Sequence, residues 1–296
     1  MKLRIFGSGA FLLFASLALA AQPQSEETIP ELTETDGPSP RWVAEDGGML
    51  PFLEDDEVLE FLRTAEMIKR ETIDKGVTRP KLLLLEKNGV RARAIFHDID
   101  ISKDRQKLAS GETVNFFRDS YHNNVAAYEL GRLLGLDNIP PVVIRKIRKA
   151  EGSVQLWIEQ SYDETQRKER GARGVLPVEV RRRVADMWVF DNLINNIDRN
   201  EGNMLYDSAS GFWWIDHTRT FSRSKKLPSP DRIKRCSRSL LAAIRALDKT
   251  EVGERLSPYL SSFAIDSLFE RRDLLVEYLD EMVASKGEEV FLFTYE

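Results

Sequence analysis

The chain has 296 residues, 42% of them hydrophobic, with 43 Lys and Arg against 48 Asp and Glu for a net charge of −5. That length allows a substantial core or a two-lobed domain, and the mildly acidic balance gives no support for a nucleic-acid partner. A single cysteine, Cys236, excludes an internal disulfide, and with three histidines far apart in sequence it argues against a zinc site.

The first element is a leader. Lys2 and Arg4 precede an apolar or small run from Ile5 to Ala20, and Ala18-Leu19-Ala20 forms an A-x-A cleavage site before Ala21. Residues 1–20 therefore read as a signal peptide and the protein as secreted or periplasmic. The apolar run is too short for a stable membrane span. Residues 21–50, with Pro23, Pro30, Pro38 and Pro40, read as a disordered linker.

A helix is expected from Asp55 or Asp56 as N-cap, with Val58, Leu59, Leu62 and Ala65 on one face. "KLLLLE" reads as a strand, Asn88-Gly89 as a hairpin turn, and "VRARAIFHDI" as a second strand of period two. Ser120 to Leu134 is helical, stopped by Gly135. "IPPVVIRKI" and "GSVQLWIEQ" are extended. Three helices are expected later, over Arg182–Ile197, Ser237–Leu247 and Ser262–Ser285. The reading is α+β: a β-rich lobe with one helix over 51–160 and a mainly helical lobe over 161–296.

The chemistry concentrates in "DRNEGNMLYDSASGFWWIDHT", Asp198 to Thr218. "MLYD" and "FWWI" read as two short strands joined by a turn at 208–211. Antiparallel pairing puts Asn203, just before the first strand, beside Asp216, just after the second. Two hard oxygen donors at one point suit Mg²⁺ or Mn²⁺. Asp198 lies five residues before Asn203, the spacing of a base aspartate and a metal-binding asparagine in phosphoryl-transfer loops. A calcium loop does not fit, since Asn203 stands where glycine is required and Ala209 where glutamate is required.

"VFDNLINNIDRNEGNMLYD…FWWIDHT" resembles the catalytic segment of the atypical protein-kinase-like superfamily. This group includes the HipA toxin kinases, the phosphatidylinositol 3- and 4-kinases, and the secretory-pathway kinases of Golgi casein kinase and four-jointed type. Asp198-Arg199-Asn200 matches the D-R-H-x-x-N motif of the first two groups except for Asn200. "NNVAAYELGRLLGLDNIPPVV" is similar to a helix of the same families. The resemblance runs from about Gly76 to Phe221 and implies a two-lobed kinase-like fold with a nucleotide such as ATP between the lobes. It implies Asp198 as catalytic base and Asn203 and Asp216 as holders of Mg²⁺ or Mn²⁺. The acceptor, a hydroxyl on protein, glycan or lipid, is not specified.

Two positions depart from the pattern. His97 stands where the phosphate-binding lysine is expected, and Asn124 where the secretory kinases carry a glutamate. Lys103, Lys81 or Arg79 are the candidate replacements for the lysine. The turn "DKGVTRP" is the candidate phosphate-covering loop, with Gly76, Thr78 and backbone amides facing phosphate, and Asn124 can offer an amide oxygen. These departures leave open a nucleotide-dependent phosphotransferase, or a catalytically impaired pseudokinase acting through nucleotide or protein contacts; transfer of a whole nucleotide or another group through the same fold stays open as well, because it would share the metal ligands.

Overall fold

The computed structural model describes residues 41–73, 80–108, 111, 113–171, 174–207 and 211–295, all within the unit Glu31–Glu296. The expected leader at residues 1–20, the expected linker over 21–40, Gly76, Thr78, Arg79 and the expected turn at 208–210 lie outside the described residues.

Helix α1 (Asp55–Thr64) is capped one residue earlier than the sequence suggests, at Glu54. The Glu57 carboxylate accepts the backbone N–H groups of Leu53 at 2.7 Å and Glu54 at 3.3 Å, satisfying donors that a helix start leaves open. Strand β1 (Glu66–Thr72) follows, then β2 (Lys81–Lys87) and β3 (Val90–His97). Asn88 and Gly89 both have positive φ, 52° and 80°, the geometry of the tight hairpin turn that joins β2 to β3. A second hairpin, β4 (Asp100–Lys107) with β5 (Thr113–Ser120), leads into α2 (Tyr121–Leu133). Strands β6 (Val142–Ile147) and β7 (Ala150–Leu156) complete a five-stranded antiparallel sheet of order β1-β2-β3-β7-β6.

The two faces of that sheet differ. Leu83, Leu85, Ala94, Phe96, Val143 and Val154 share one face and are buried. Helix α1 closes this side, and Arg145 fastens it through the carbonyls of Leu62 at 3.0 Å and Ala65 at 2.6 Å. Leu82, Ile95 and Gln155 share the opposite face, as do His97 and Ser153. Helix α2 packs here, with Tyr121 Oη donating to Glu151 and Asn124 Nδ2 to Ser153 Oγ. Gly152 on β7 is required by close approach, because a Cβ there would lie 2.2 Å from the His97 carbonyl oxygen.

After the five-stranded sheet come β8 (Tyr162–Asp163), α3 (Glu164–Glu169) and α4 (Val178–Leu193). Helix α4 stops at Leu193 rather than Ile197. Asn195 adopts φ 55°, and the Asn196 N–H returns to the Asp191 carbonyl at 2.8 Å, a left-handed helix stop. Strands β9 (Met204–Tyr206) and β10 (Phe212–Trp214) form an antiparallel hairpin that β8 extends. Then come β11 (Cys236–Ser237), α5 (Arg238–Ala246), α6 (Lys249–Leu256), α7 (Ser262–Lys286), α8 (Glu288–Phe291) and β12 (Leu292–Phe293). Ser237 caps α5 through the Leu240 N–H, and Ser261 caps α7 through the Ala264 N–H. No described helix is long and apolar enough to cross a membrane.

The expected linker over 21–50 is corrected at its end. Trp42 is buried against the Trp213 ring at 5.4 Å, Leu50 is buried, and Val43 bridges Met49. Ordered packing therefore begins before residue 51: an indole and a leucine bury apolar area despite the polar composition around them.

Candidate active site

Met204 faces Trp214 in the hairpin register, and the Ile215 N–H donates to the Asn203 carbonyl at 3.2 Å. Asn203 and Asp216 thus flank the same open end of the hairpin. Asn203 Nδ2 donates to the Asp198 carbonyl at 3.0 Å, which fixes the amide's orientation and leaves Oδ1 without a hydrogen bond among the described residues. Asp216 adopts φ 54°, a left-handed conformation that Asp tolerates better than most residues. Its Oδ1 accepts the Thr218 hydroxyl at 2.9 Å.

Arg199 holds this end together from inside. Its side chain is 2% exposed and pairs with Asp191, 3% exposed, through Nε at 2.8 Å and Nη2 at 3.0 Å. Nη1 donates to the carbonyls of Asn203 at 2.7 Å and Ile215 at 3.0 Å, and Nη2 also meets His217 Nε2 at 3.0 Å. All five guanidinium N–H groups are used, as a buried arginine requires. Because arginine only donates, His217 Nε2 accepts and the ring proton sits on Nδ1. Burial, with the Arg199 charge beside it, holds the His217 imidazole well below its usual range. His217 is thus a neutral member of the scaffold.

A second arginine reaches the open side. Arg219 Nε donates to Asp119 Oδ2 at 2.8 Å, and Nη1 to Asp198 Oδ2 at 2.9 Å. Burial raises the Asp198 carboxyl above its usual range, with Asp216 adding repulsion and Arg219 opposing the shift. His97, buried at the end of β3, is held below its usual range by desolvation, against the pull of Asp216 and Asp119.

Helix α2 is tied to the segment after Asp216. Asn124 Oδ1 accepts the His217 N–H at 2.7 Å, while its Nδ2 reaches Ser153 Oγ at 3.4 Å. Asn123 Nδ2 donates to the carbonyls of Thr218 at 2.7 Å and Thr220 at 2.9 Å. The Ser120 N–H also donates to the Thr218 carbonyl, at 2.9 Å. Asn124 is therefore engaged on protein through both ends of its amide and holds the residue next to Asp216. Glu129 faces away from the site and pairs with Arg255 at 2.9 Å.

Asp198, Asn203 and Asp216 stand together. The lysine substitutes do not join them: Lys103 is exposed and donates to Gln106 at 2.7 Å, and Lys81 donates to Thr72 at 3.3 Å. Sequence reasoning missed Asp119, Arg199 and Arg219 as site-building residues. The one available signal was that two arginines each lie within three residues of a candidate aspartate. Among the described residues no three His, Cys, Asp or Glu side chains converge on a metal position. The Asn203 amide oxygen and the Asp216 carboxylate are hard oxygen donors, and their chemistry suits a hard cation.

No protein-family model matches the sequence, and no curated protein matches it. Solved structures do match. The Fam20 structure of hydra with sugar is 17% identical, covering 86% of this chain and 95% of that one at a TM-score of 0.65. The Golgi casein kinase is 16% identical over 80% and 77% of the two chains, TM-score 0.59. The Golgi casein kinase with Mn/ADP bound is 17% identical over 81% and 80%, TM-score 0.60. At these identities the likeness carries the fold, and residue roles rest on the geometry above. The chain has the two-lobed α+β fold of these Fam20 and Golgi casein kinase structures.

Proposed function

We propose that the protein is an exported kinase-like phosphotransferase that moves a phosphoryl group from a nucleotide, ATP for example, to a hydroxyl acceptor with a divalent metal. The observation that carries this reading is the meeting of Asp198, Asn203 and Asp216 at the end of the β9–β10 hairpin. The leader at residues 1–20 supports export.

Asn203 Oδ1 and the Asp216 carboxylate are the groups that would hold Mg²⁺ or Mn²⁺. When bound, the ion neutralises phosphate charge. Asp119, Asp198 and Asp216 against Arg219 leave the site net negative, so a polyphosphate enters favourably only with added cations. The half-buried apolar Leu82, Leu84 and Ile95 line the α2 side of the sheet and suit a nucleobase. Asp198 accepts the proton of the acceptor hydroxyl while that oxygen bonds to the γ-phosphorus. The bond from phosphorus to the β,γ-bridging oxygen breaks, and the nucleoside diphosphate leaves.

The Mn/ADP complex of the Golgi casein kinase supports nucleotide and metal use by this fold. The alternative, a pseudokinase, is favoured by the neutral buried His97 in place of a cation. Radiolabelled γ-phosphate transfer to a panel of protein, glycan and lipid acceptors separates the two. Metal-dependent transfer that falls at least about 100-fold in Asp198→Ala supports the enzyme. Transfer that persists unchanged in Asp198→Ala, or none above that background, supports the pseudokinase.

A further inference from the structure

Arg219 is held from four directions before any ligand arrives. Its carbonyl accepts the Ile197 N–H at 3.3 Å, which sets it beside Asp198 in the backbone. Its guanidinium lies 5.8 Å from the Phe117 ring centroid. Asp119, two residues further along the same face of β5, takes Nε, and Asp198 takes Nη1. Asp119 is 2% exposed and its Oδ1 has no hydrogen-bond partner among the described residues. A carboxylate so buried is unfavourable unless it is paired, and Arg219 is the cation that pairs it. Arg219 is 23% exposed and Asp198 33%, so the contact between them opens toward the site while the Asp119 contact is closed.

We propose that Asp119 and Arg219 are positioning residues for Asp198: Asp119 anchors the guanidinium, and the guanidinium occupies Asp198 Oδ2 so that Oδ1 faces the acceptor hydroxyl. This deepens the phosphotransferase reading and rests on it for its catalytic consequence. A lysine cannot reproduce the arrangement, because one ammonium lacks the planar fork that spans two carboxylates. A carboxylate misplaced by about 1 Å loses on the order of 100-fold in rate.

The test has a kinetic arm and a structural arm. Arg219→Ala is expected to lower kcat about 100-fold with KM for nucleotide changed less than about threefold, and free guanidinium is expected to restore part of the loss. Arg219→Lys stays impaired although it keeps the charge. The double variant Arg219→Ala/Asp198→Asn is expected to be no slower than Asp198→Asn alone, since the arginine acts through the aspartate. Additive losses, or a loss appearing in KM alone, overturn the proposal.

In the structural arm, nitrogen-15 NMR follows the Arg219 Nε–H, assigned by its absence in Arg219→Lys. Slow solvent exchange is expected in the wild type and in Asp198→Asn, and is lost in Asp119→Ala. Protection that survives Asp119→Ala overturns the anchor. If the wild type transfers no phosphate, the phosphotransferase reading falls, and the NMR arm still decides whether the clamp exists.

Discussion

Replacing Arg199 by methionine strips five donors from a closed site. Among the described residues, the charge of Asp191, 3% exposed, is left with only the Asn196 amide at 2.8 Å. Breaking a buried ion pair from one side costs about 3–5 kcal/mol. The Asn203 carbonyl keeps the Ile215 N–H at 3.2 Å, but the Ile215 carbonyl is orphaned and adds about 1–3 kcal/mol if water does not reach it, so the total is at least ~3 kcal/mol. Urea unfolding of the chain from Ala21 onward measures this as a shift in midpoint at constant m-value. The double variant Arg199→Met/Asp191→Leu removes the stranded charge and should recover about 1–3 kcal/mol of the loss. A single-variant cost below about 1 kcal/mol, or a double variant worse than the single, would refute the assignment of Arg199 as the tie of the catalytic end.

Gly152→Ala forces a methyl group against the His97 carbonyl and the Phe96 ring, and a thermal melt should show a loss of at least about 1–3 kcal/mol. Asn124→Leu orphans the His217 N–H, buried at the site, and should cost about 1–3 kcal/mol by urea unfolding. Asn124→Asp keeps the acceptor and should cost less. Cys236 is fully buried and burial pushes its thiol well up, so at pH 8 Ellman's reagent should label it only at the rate of unfolding. Rapid labelling of the native protein would contradict that packing.

How much of this was legible follows from where burial leaves a periodic signal. Strand β3 alternates and its Asn88-Gly89 turn is diagnostic, so that hairpin could be read directly. Strand β4 is polar and almost wholly exposed, "DISKDRQK", and its pairing with β5 leaves no apolar alternation to detect. Strand β1 is an edge with a register shift between Met67 and Lys69, which blurs period two. Within the site, Asp198, Asn203 and Asp216 could be found because a short hairpin converts sequence spacing into proximity. Asp119 and Arg219 are one hundred residues apart and meet only through the docking of α2 against the segment after Asp216. No local pattern encodes that. The Trp42 contact with Trp213 is equally nonlocal, which is why the polar composition around it reads as linker.

On the proposed function, the end of the β9–β10 hairpin would hold a metal–nucleotide complex through Asn203 and Asp216. Thermal shift of the chain from Ala21 onward, with ATP or GTP and with or without Mg²⁺ or Mn²⁺, tests it directly, with Asp216→Ala alongside. A stabilisation of about 2–3 kcal/mol at one hundred times Kd, requiring metal and absent in Asp216→Ala, is the predicted result. A shift that ignores metal, survives Asp216→Ala, or fails to occur with any nucleotide would contradict it.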